Sequence, residues 1–249
     1  MIALMYISVA IIAYLCGSIP CGVLIGRWMA KRDVTKVGSG KTGMTNVMRV
    51  AGRKAAIISL VLDIAKGALA VGIATAIFWG RNDPFAVFTL NESAKLLAGL
   101  AAIAGHNWSI FLKFRGGRGV ATFMGALAAL YWPAAVLGGV LIFAIGIRTK
   151  YMSMGSLVGA VAAFFLLTAF YILKIDFLRS GPMPIEYSIY VLVGVVFVWA
   201  MHRDNITRLY NGTERKIGEK DKKSARKTKQ TATKIPVTVH AKASTRTRK

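Results

Sequence analysis

Apolar runs recur along the whole chain, around residues 2 to 26, 55 to 79, 94 to 112, 119 to 147, 155 to 173 and 187 to 201. A helix needs roughly 20 residues to cross the hydrocarbon core of a bilayer, so runs of this length predict membrane spans. The longest is interrupted at Tyr131-Trp132-Pro133 and divides into two, giving about seven spans. Composition agrees: 55% of the 249 residues are hydrophobic and only 17% charged, more apolar material than one soluble core uses. The fold class expected is an all-α polytopic membrane protein.

The first positive residue is Arg27, and no small-residue cleavage site precedes a soluble domain, so the first run is expected to stay as a span. Lys and Arg crowd residues 31–54, 113–118 and 148–150 and the C-terminal tail, whereas residues 81–84, 131–133 and 174–184 carry fewer. Every second connection is basic. The positive-inside rule then puts the N-terminus outside, the C-terminus in the cytoplasm and the number of spans odd. Cys16 and Cys21, five apart, fit neither a metal pair nor a redox CxxC and are expected to pack as small apolar side chains.

The chain divides into a transmembrane domain over 1–212 and a tail over 213–249 that is basic, poor in large apolar residues and expected to be disordered. Part of the formal charge of +23 sits in this tail and invites a nucleic-acid reading. Because the tail follows a cytoplasmic exit, attraction to anionic lipid headgroups accounts for it more simply, and no nucleic acid is expected.

The stretch GSGKTG, residues 38–43, imitates a nucleotide-binding loop. A Walker A loop needs glycine at 35, where Thr35 stands, and it leaves a β-strand rather than joining two spans. ATP is therefore not the expected ligand. The physical content survives: Gly38, Gly40 and Gly43 permit an anion nest of backbone N–H groups, Ser39, Thr42, Thr45 and Asn46 add neutral donors, and Arg49 adds a planar fork. The plainer alternative is a flexible basic loop that only obeys the topology rule.

A second loop, GHNWSIFLKFRGGRGVAT, has the same character. Glycines flanking an arginine at a helix start expose amides and a guanidinium to one anion. Ser153 and Ser156 open the sixth span, where capping is the commoner use of serine. His202 and Asn205 follow the seventh, as catalytic groups or as an interfacial ring and a helix-end amide. Asp63 and Lys66, one turn apart inside a span, read as a buried structural brace beneath the first loop in preference to direct catalysis.

With GSIPCGVLIGR, VGSGKTGMTNVMRVAGRKA, LDIAKG, GHNWSIFLKFRGGRGVATFMG, YMSMGS and HRDNITRLYNGTE in order from about residue 15 to 214, the chain resembles the bacterial acyl-phosphate:glycerol-3-phosphate acyltransferases of the PlsY type. The resemblance implies a seven-span inner-membrane enzyme with a cytoplasm-facing site, no metal and no cofactor. It would transfer an acyl group from acyl phosphate to the 1-hydroxyl of glycerol 3-phosphate, giving lysophosphatidic acid and inorganic phosphate. It further implies substrate binding by Ser39, Gly40, Thr45, Asn46 and Arg49. The turn through Lys113, Gly116, Gly117 and Arg118 would lie beside the acyl phosphate, and Ser153 would close the pocket. His106, His202 and Asn205 take the catalytic places. Lys41, Arg118 and Met201 depart from the usual Asn, Lys and basic residue of the family.

An acyl phosphate carries its own leaving group, so the chemistry asks for positioning and charge neutralisation more than for a strong base. Either His202 or a substrate phosphate oxygen would take the hydroxyl proton. The His–x4–Asp pairing of other acyltransferases is absent, because Phe111 and Thr207 stand five residues after His106 and His202. The competing classes are a transporter or flippase for a phosphorylated solute or lipid, and a membrane anchor with a recruiting tail. The first would be expected to show repeats and midplane polar groups; the second has no use for the glycine loops.

Overall fold

Leu4, Ile11 and Leu15 on the first helix stand exposed while Val9, Ala13 and Gly17 of the same helix are buried. Large apolar side chains turned outward in such numbers are surplus to a water-facing surface and match a lipid-facing one. The computed structural model describes residues 1–81, 88–175 and 183–219. Among them are α1 (Ile2–Ser18), α2 (Cys21–Ala30), α3 (Met44–Ile77), α4 (Leu90–Asn107), α5 (Val120–Thr149), α6 (Met152–Ile172), α7 (Ile185–Met201) and α8 (Arg203–Tyr210). Most of the less basic connections at 81–84 and 174–184 and most of the tail, including its basic run from 220, lie outside the described residues.

The protein is an all-helical integral membrane protein. Four described stretches, Ile2–Ala30, Met44–Ile77, Val120–Thr149 and Met152–Ile172, are long and apolar enough to cross a membrane, and the pair α7 and α8, bent by 60°, makes a fifth. That is fewer than the seven expected. Part of the difference lies in α5, which is two rods; the rest is α4, an 18-residue helix that is not among those stretches. Tyr131 (φ −153°, ψ 91°) interrupts α5, and an ideal Cβ on Gly138 would stand 3.3 Å from Met124 Cε, fourteen residues earlier. Along a continuous helix those positions would be about 21 Å apart. The chain therefore folds back at the Tyr-Trp-Pro sequence, and Pro133 sits in the first turn of the returning limb, where its missing N–H costs nothing.

With this hairpin, α1, α3, α4, the two limbs of α5, α6 and α7 run as alternating rods. Ends of six of them meet at one level of the bundle: the start of α3, the end of α4, the start and end of α5, the start of α6 and the end of α7. Between the rods, glycine lets backbones touch, as lipid-embedded helices require in the absence of a hydrophobic drive. A Cβ on Gly67 would strike the Thr122 carbonyl, and one on Gly125 that of Ile64, so α3 and the first limb of α5 pack backbone to backbone. Phe123 and Tyr190 stack at 5.6 Å in the centre, and the Tyr190 hydroxyl donates to the Phe123 carbonyl at 2.8 Å.

The compact unit runs to Gly218, beyond the expected boundary at 212. Ile217 N–H donates to the Lys150 carbonyl at 2.8 Å and pins this extension to the α5–α6 junction. Cys16 and Cys21 are both free thiols.

Helix α3 is broken at Gly52, with φ 87° and ψ 178°, a backbone region that essentially only glycine enters. Residues 44–51 thereby form a separate short helix that carries Asn46 and Arg49. Nothing lies within 4 Å of an added Cβ there, so a substitution meets conformational cost alone. Gly52→Ala is expected to lower stability by about 1–3 kcal/mol, read as a fall in the thermal midpoint of the detergent-solubilised protein.

Candidate active site

The loop before α3 is curled around one side chain. Asn46, 2% exposed, accepts the Ser39 N–H on Oδ1 at 2.9 Å. Its Nδ2 donates to the carbonyls of Val34 at 2.8 Å, Val37 at 3.1 Å and Lys41 at 2.9 Å. An amide saturated in this way shapes a loop, and the backbone it draws in is what faces the cavity. Upstream, Asp33 caps the short turn Val34–Lys36 through Thr35 N–H at 3.0 Å and pairs with Arg27 at 2.8 Å. The Thr35 hydroxyl and the Arg27 guanidinium hold its carboxyl down to about 2. Gly38 and Gly40 take positive φ, 67° and 69°. Ser39, Lys41, Thr45, Asn46 and Arg49 line the cavity that follows; Gly40 makes the turn without lining it.

The second loop is built over a buried ion pair. Lys66 Nζ meets Asp63 Oδ1 at 2.8 Å and donates to the Ile19 carbonyl at 2.9 Å, joining α3 to the end of α1. His106 Nδ1 stands 3.5 Å from the same Asp63 oxygen. The pair expected as a brace under the first loop makes its contacts with the end of α1 and with His106, below the second loop. Gly117 N–H donates to the His106 carbonyl at 3.1 Å. A Cβ on Gly116 would collide with that carbonyl, and one on Gly117 with the imidazole, so the turn closes over His106 because both residues lack a side chain. His106 and Arg118 line the cavity, whereas Gly116, Gly117 and the exposed Lys113 are not among its lining residues.

Arg118 comes immediately before Gly119, the N-cap of α5, where helix amides and dipole add to its attraction for an anion. Its buried Nε has no hydrogen-bond partner among the described residues. Burial lowers its pKa to about 10, which leaves the guanidinium charged at neutral pH. Lys41 is also lowered, by burial first and then by the Arg118 charge. Lys41 and Arg118 share the cavity with the carboxylates of Asp204 and Glu214, whose charges act on Arg118, and Asp204 also acts on Lys41.

The third wall comes from α6, α8 and the segment after it. Ser153 Oγ donates to Glu214 Oε1 at 3.0 Å, Asn205 Nδ2 to the same oxygen at 2.7 Å, and Arg208 Nε to Oε2 at 2.7 Å. His202 Nδ1 lies 2.7 Å from the Val198 carbonyl, so Nδ1 carries the proton and Nε2 of the neutral ring is an acceptor. Glu214 was missed in reading the sequence because it falls beyond the predicted domain edge. The signal was present: an acid standing alone between the Asn211-Gly212 turn and a run of bases.

All three walls enclose one cavity of about 440 Å³, which continues from these polar groups between apolar side chains of α3 and both limbs of α5, Leu60, Ile64, Met124 and Phe143 among them. Among the described residues no cluster of His, Cys, Asp or Glu is arranged to hold a metal ion. A cationic rim continuous with an apolar slot in a lipid-facing bundle defines a membrane protein that handles an anionic head and an acyl-like chain together.

Comparison with known proteins narrows that class. The family model described as glycerol-3-phosphate acyltransferase matches residues 7–212. A glycerol-3-phosphate acyltransferase 3 of Dehalococcoides mccartyi (strain CBDB1) is 47% identical over 219 residues, covering 85% of this chain and 95% of its own. A glycerol-3-phosphate acyltransferase of Synechococcus sp. (strain CC9902) is 38% identical over 211 residues, covering 85% and 94%. The crystal structure of PlsY, an integral membrane glycerol 3-phosphate acyltransferase, in its glycerol 3-phosphate form superposes with a TM-score of 0.71 at 29% identity, over 86% of this chain and 96% of that one. The chain belongs to the glycerol-3-phosphate acyltransferase family and is an acyltransferase of the PlsY type.

The buried pair yields a prediction. Asp63→Asn leaves Lys66 charged and without its counter-ion, a change expected to cost about 3–5 kcal/mol. Replacing both residues with apolar ones of similar volume is expected to restore much of the thermal stability while leaving the acyltransferase rate low, because His106 loses its support. Thermal midpoint and rate measured on both variants check this.

Proposed function

We propose that the enzyme makes lysophosphatidic acid at the cytoplasmic face of a bacterial inner membrane, with acyl phosphate as donor and glycerol 3-phosphate as acceptor. The observation that supports the reading is one cavity in which arginine, lysine and hydroxyl side chains are continuous with an apolar slot. In this reading the 1-hydroxyl oxygen of glycerol 3-phosphate attacks the acyl carbonyl carbon, the carbon–oxygen bond to phosphate breaks, and inorganic phosphate leaves. Arg49, Ser39 and Thr45 take the phosphate of one substrate, and Arg118 that of the other. Asn46, Gly40, Gly116 and Gly117 act by shaping the two loops, and Lys113 attracts anionic headgroups at the rim. Ser153 and Asn205, fixed by Glu214, close the third side, and His106 orients the second loop from beneath.

The hydroxyl proton passes to a phosphate oxygen of the substrate, while His202, tethered to Val198, holds the acceptor. This follows from the donor's good leaving group, which spares the enzyme a strong base. A side-chain general base typically contributes about 10²–10⁴ in rate. His202→Ala is therefore expected to lower kcat by less than about 100-fold, and a larger loss in steady-state kinetics would move the proton to His202.

Seven spans with the N-terminus outside are part of the same proposal. The alternating rods support it, as does the placement of Arg49, Arg118 and Arg208 at the end of the bundle where the cavity opens. The tail beyond it would add roughly 1 kcal/mol of attraction to anionic lipid for each base near the surface.

The test is an assay in detergent with acyl phosphate and glycerol 3-phosphate: lysophosphatidic acid and inorganic phosphate should form in equal amounts. Activity with acyl thioester alone would refute the donor assignment. Arg49→Ala should raise KM for glycerol 3-phosphate by about tenfold or more, the loss of one charge-assisted phosphate contact, with wild-type kinetics removing Arg49 from the site.

A further inference from the structure

The apolar end of the cavity stops at a definite place, and this has a consequence for the acyl donor. On the first limb of α5 the lining positions are Val120, Ala121, Met124 and Ala128, one face of a helix; on the returning limb they are Ala135, Val136, Gly139, Ile142 and Phe143, again one face. From Val120 to Ala128 is about 12 Å along the helix axis. Beyond Ala128 and Ala135 the interior is filled: Leu130, Tyr131, Ala134 and Leu167 are buried, and Tyr131 packs edge-on against Phe170 with ring centroids 5.7 Å apart. The slot therefore has a floor just short of the hairpin turn. Its outer side is open, since Val136 is 50% and Phe143 38% exposed.

We infer that the α5 hairpin reads acyl-chain length: a chain enters sideways past Val136 and Phe143 and is held down to the floor formed by Ala128 and Ala135, with Gly139 keeping the slot wide. The inference rests on the acyl-donor reading above and adds the residues that select among donors. Ala128, Ala135 and Gly139 are the small residues of the slot's lining on the two limbs, and Met124 supplies an adaptable wall. Gly139 has room for a side chain: an ideal Cβ there meets only Met124 Cε, at 3.9 Å. Larger side chains at these positions raise the floor or narrow the slot, and a pocket shortened by two or three methylenes discriminates by an order of magnitude or more.

The experiment compares kcat/KM for octanoyl, lauroyl and palmitoyl phosphate in the full-length enzyme and in Gly139→Leu and Ala128→Leu. Gly139→Leu replaces a helix-interior glycine by a strong helix former and is expected to fold; Gly139→Ala, adding one methyl to the same space, should shift selectivity less in the same direction. The palmitoyl-to-octanoyl ratio is expected to fall at least tenfold in both leucine variants. An unchanged ratio, or an equal loss with all three donors, overturns the inference. Should the wild type accept only acyl thioesters, the donor assignment fails, while the same chain-length series run on thioesters still reads the slot.

Discussion

The buried contact of Lys66 with Asp63 is the interaction on which the site rests. Two opposite charges one turn apart on α3 are removed from both lipid and water, a position tolerated only when each has a partner. Lys66 uses its remaining capacity on the carbonyl of Ile19 at the end of α1, and Asp63 faces the imidazole of His106 at the end of α4. The ends of α1 and α4 are thereby fixed against the middle of α3. The Gly116-Gly117 turn is moulded on His106, so the direction in which Arg118 leaves that turn depends on charges in the middle of a neighbouring span.

Around this anchor the enzyme solves two problems with one device. Phosphate needs N–H groups and cations with little water between, and an acyl chain needs apolar walls. In the reaction proposed, rods that end at one level would supply the first at their tips and the second along their sides. The hairpin in α5 matters because its two limbs bring both ends of the element, near Arg118 and near Ser153, to the same rim; a straight helix of that length would separate them by about 45 Å. Glu214 then ties α6, α8 and the C-terminal segment into a third wall through contacts with Ser153, Asn205 and Arg208.

Much of this was readable in the chain. The apolar runs predicted the rods, Tyr131-Trp132-Pro133 predicted the turn, and residues in or beside the two basic glycine loops, Arg49 and Arg118 among them, line one cavity. Less readable was how individual residues share the work. Asn46 was expected to touch substrate, and its amide is spent on the backbone of its own loop. Gly116 and Gly117 were expected to offer amides to an anion; both are pressed on His106, whose carbonyl takes the Gly117 N–H. Glu214 was assigned to the tail and stands inside the folded unit. In each case the deciding contact joins residues far apart in the sequence or turns a side chain inward that could equally have faced a ligand.

What the sequence by itself determined is therefore the solvent, the element lengths and the chemistry: hydrophobicity along the chain is a local property, and so is the capacity of glycine, serine and arginine to surround phosphate. What only the tertiary structure decided is the division of labour among those residues. Burial and partner geometry depend on which helix ends meet, and that is settled by packing across the whole bundle.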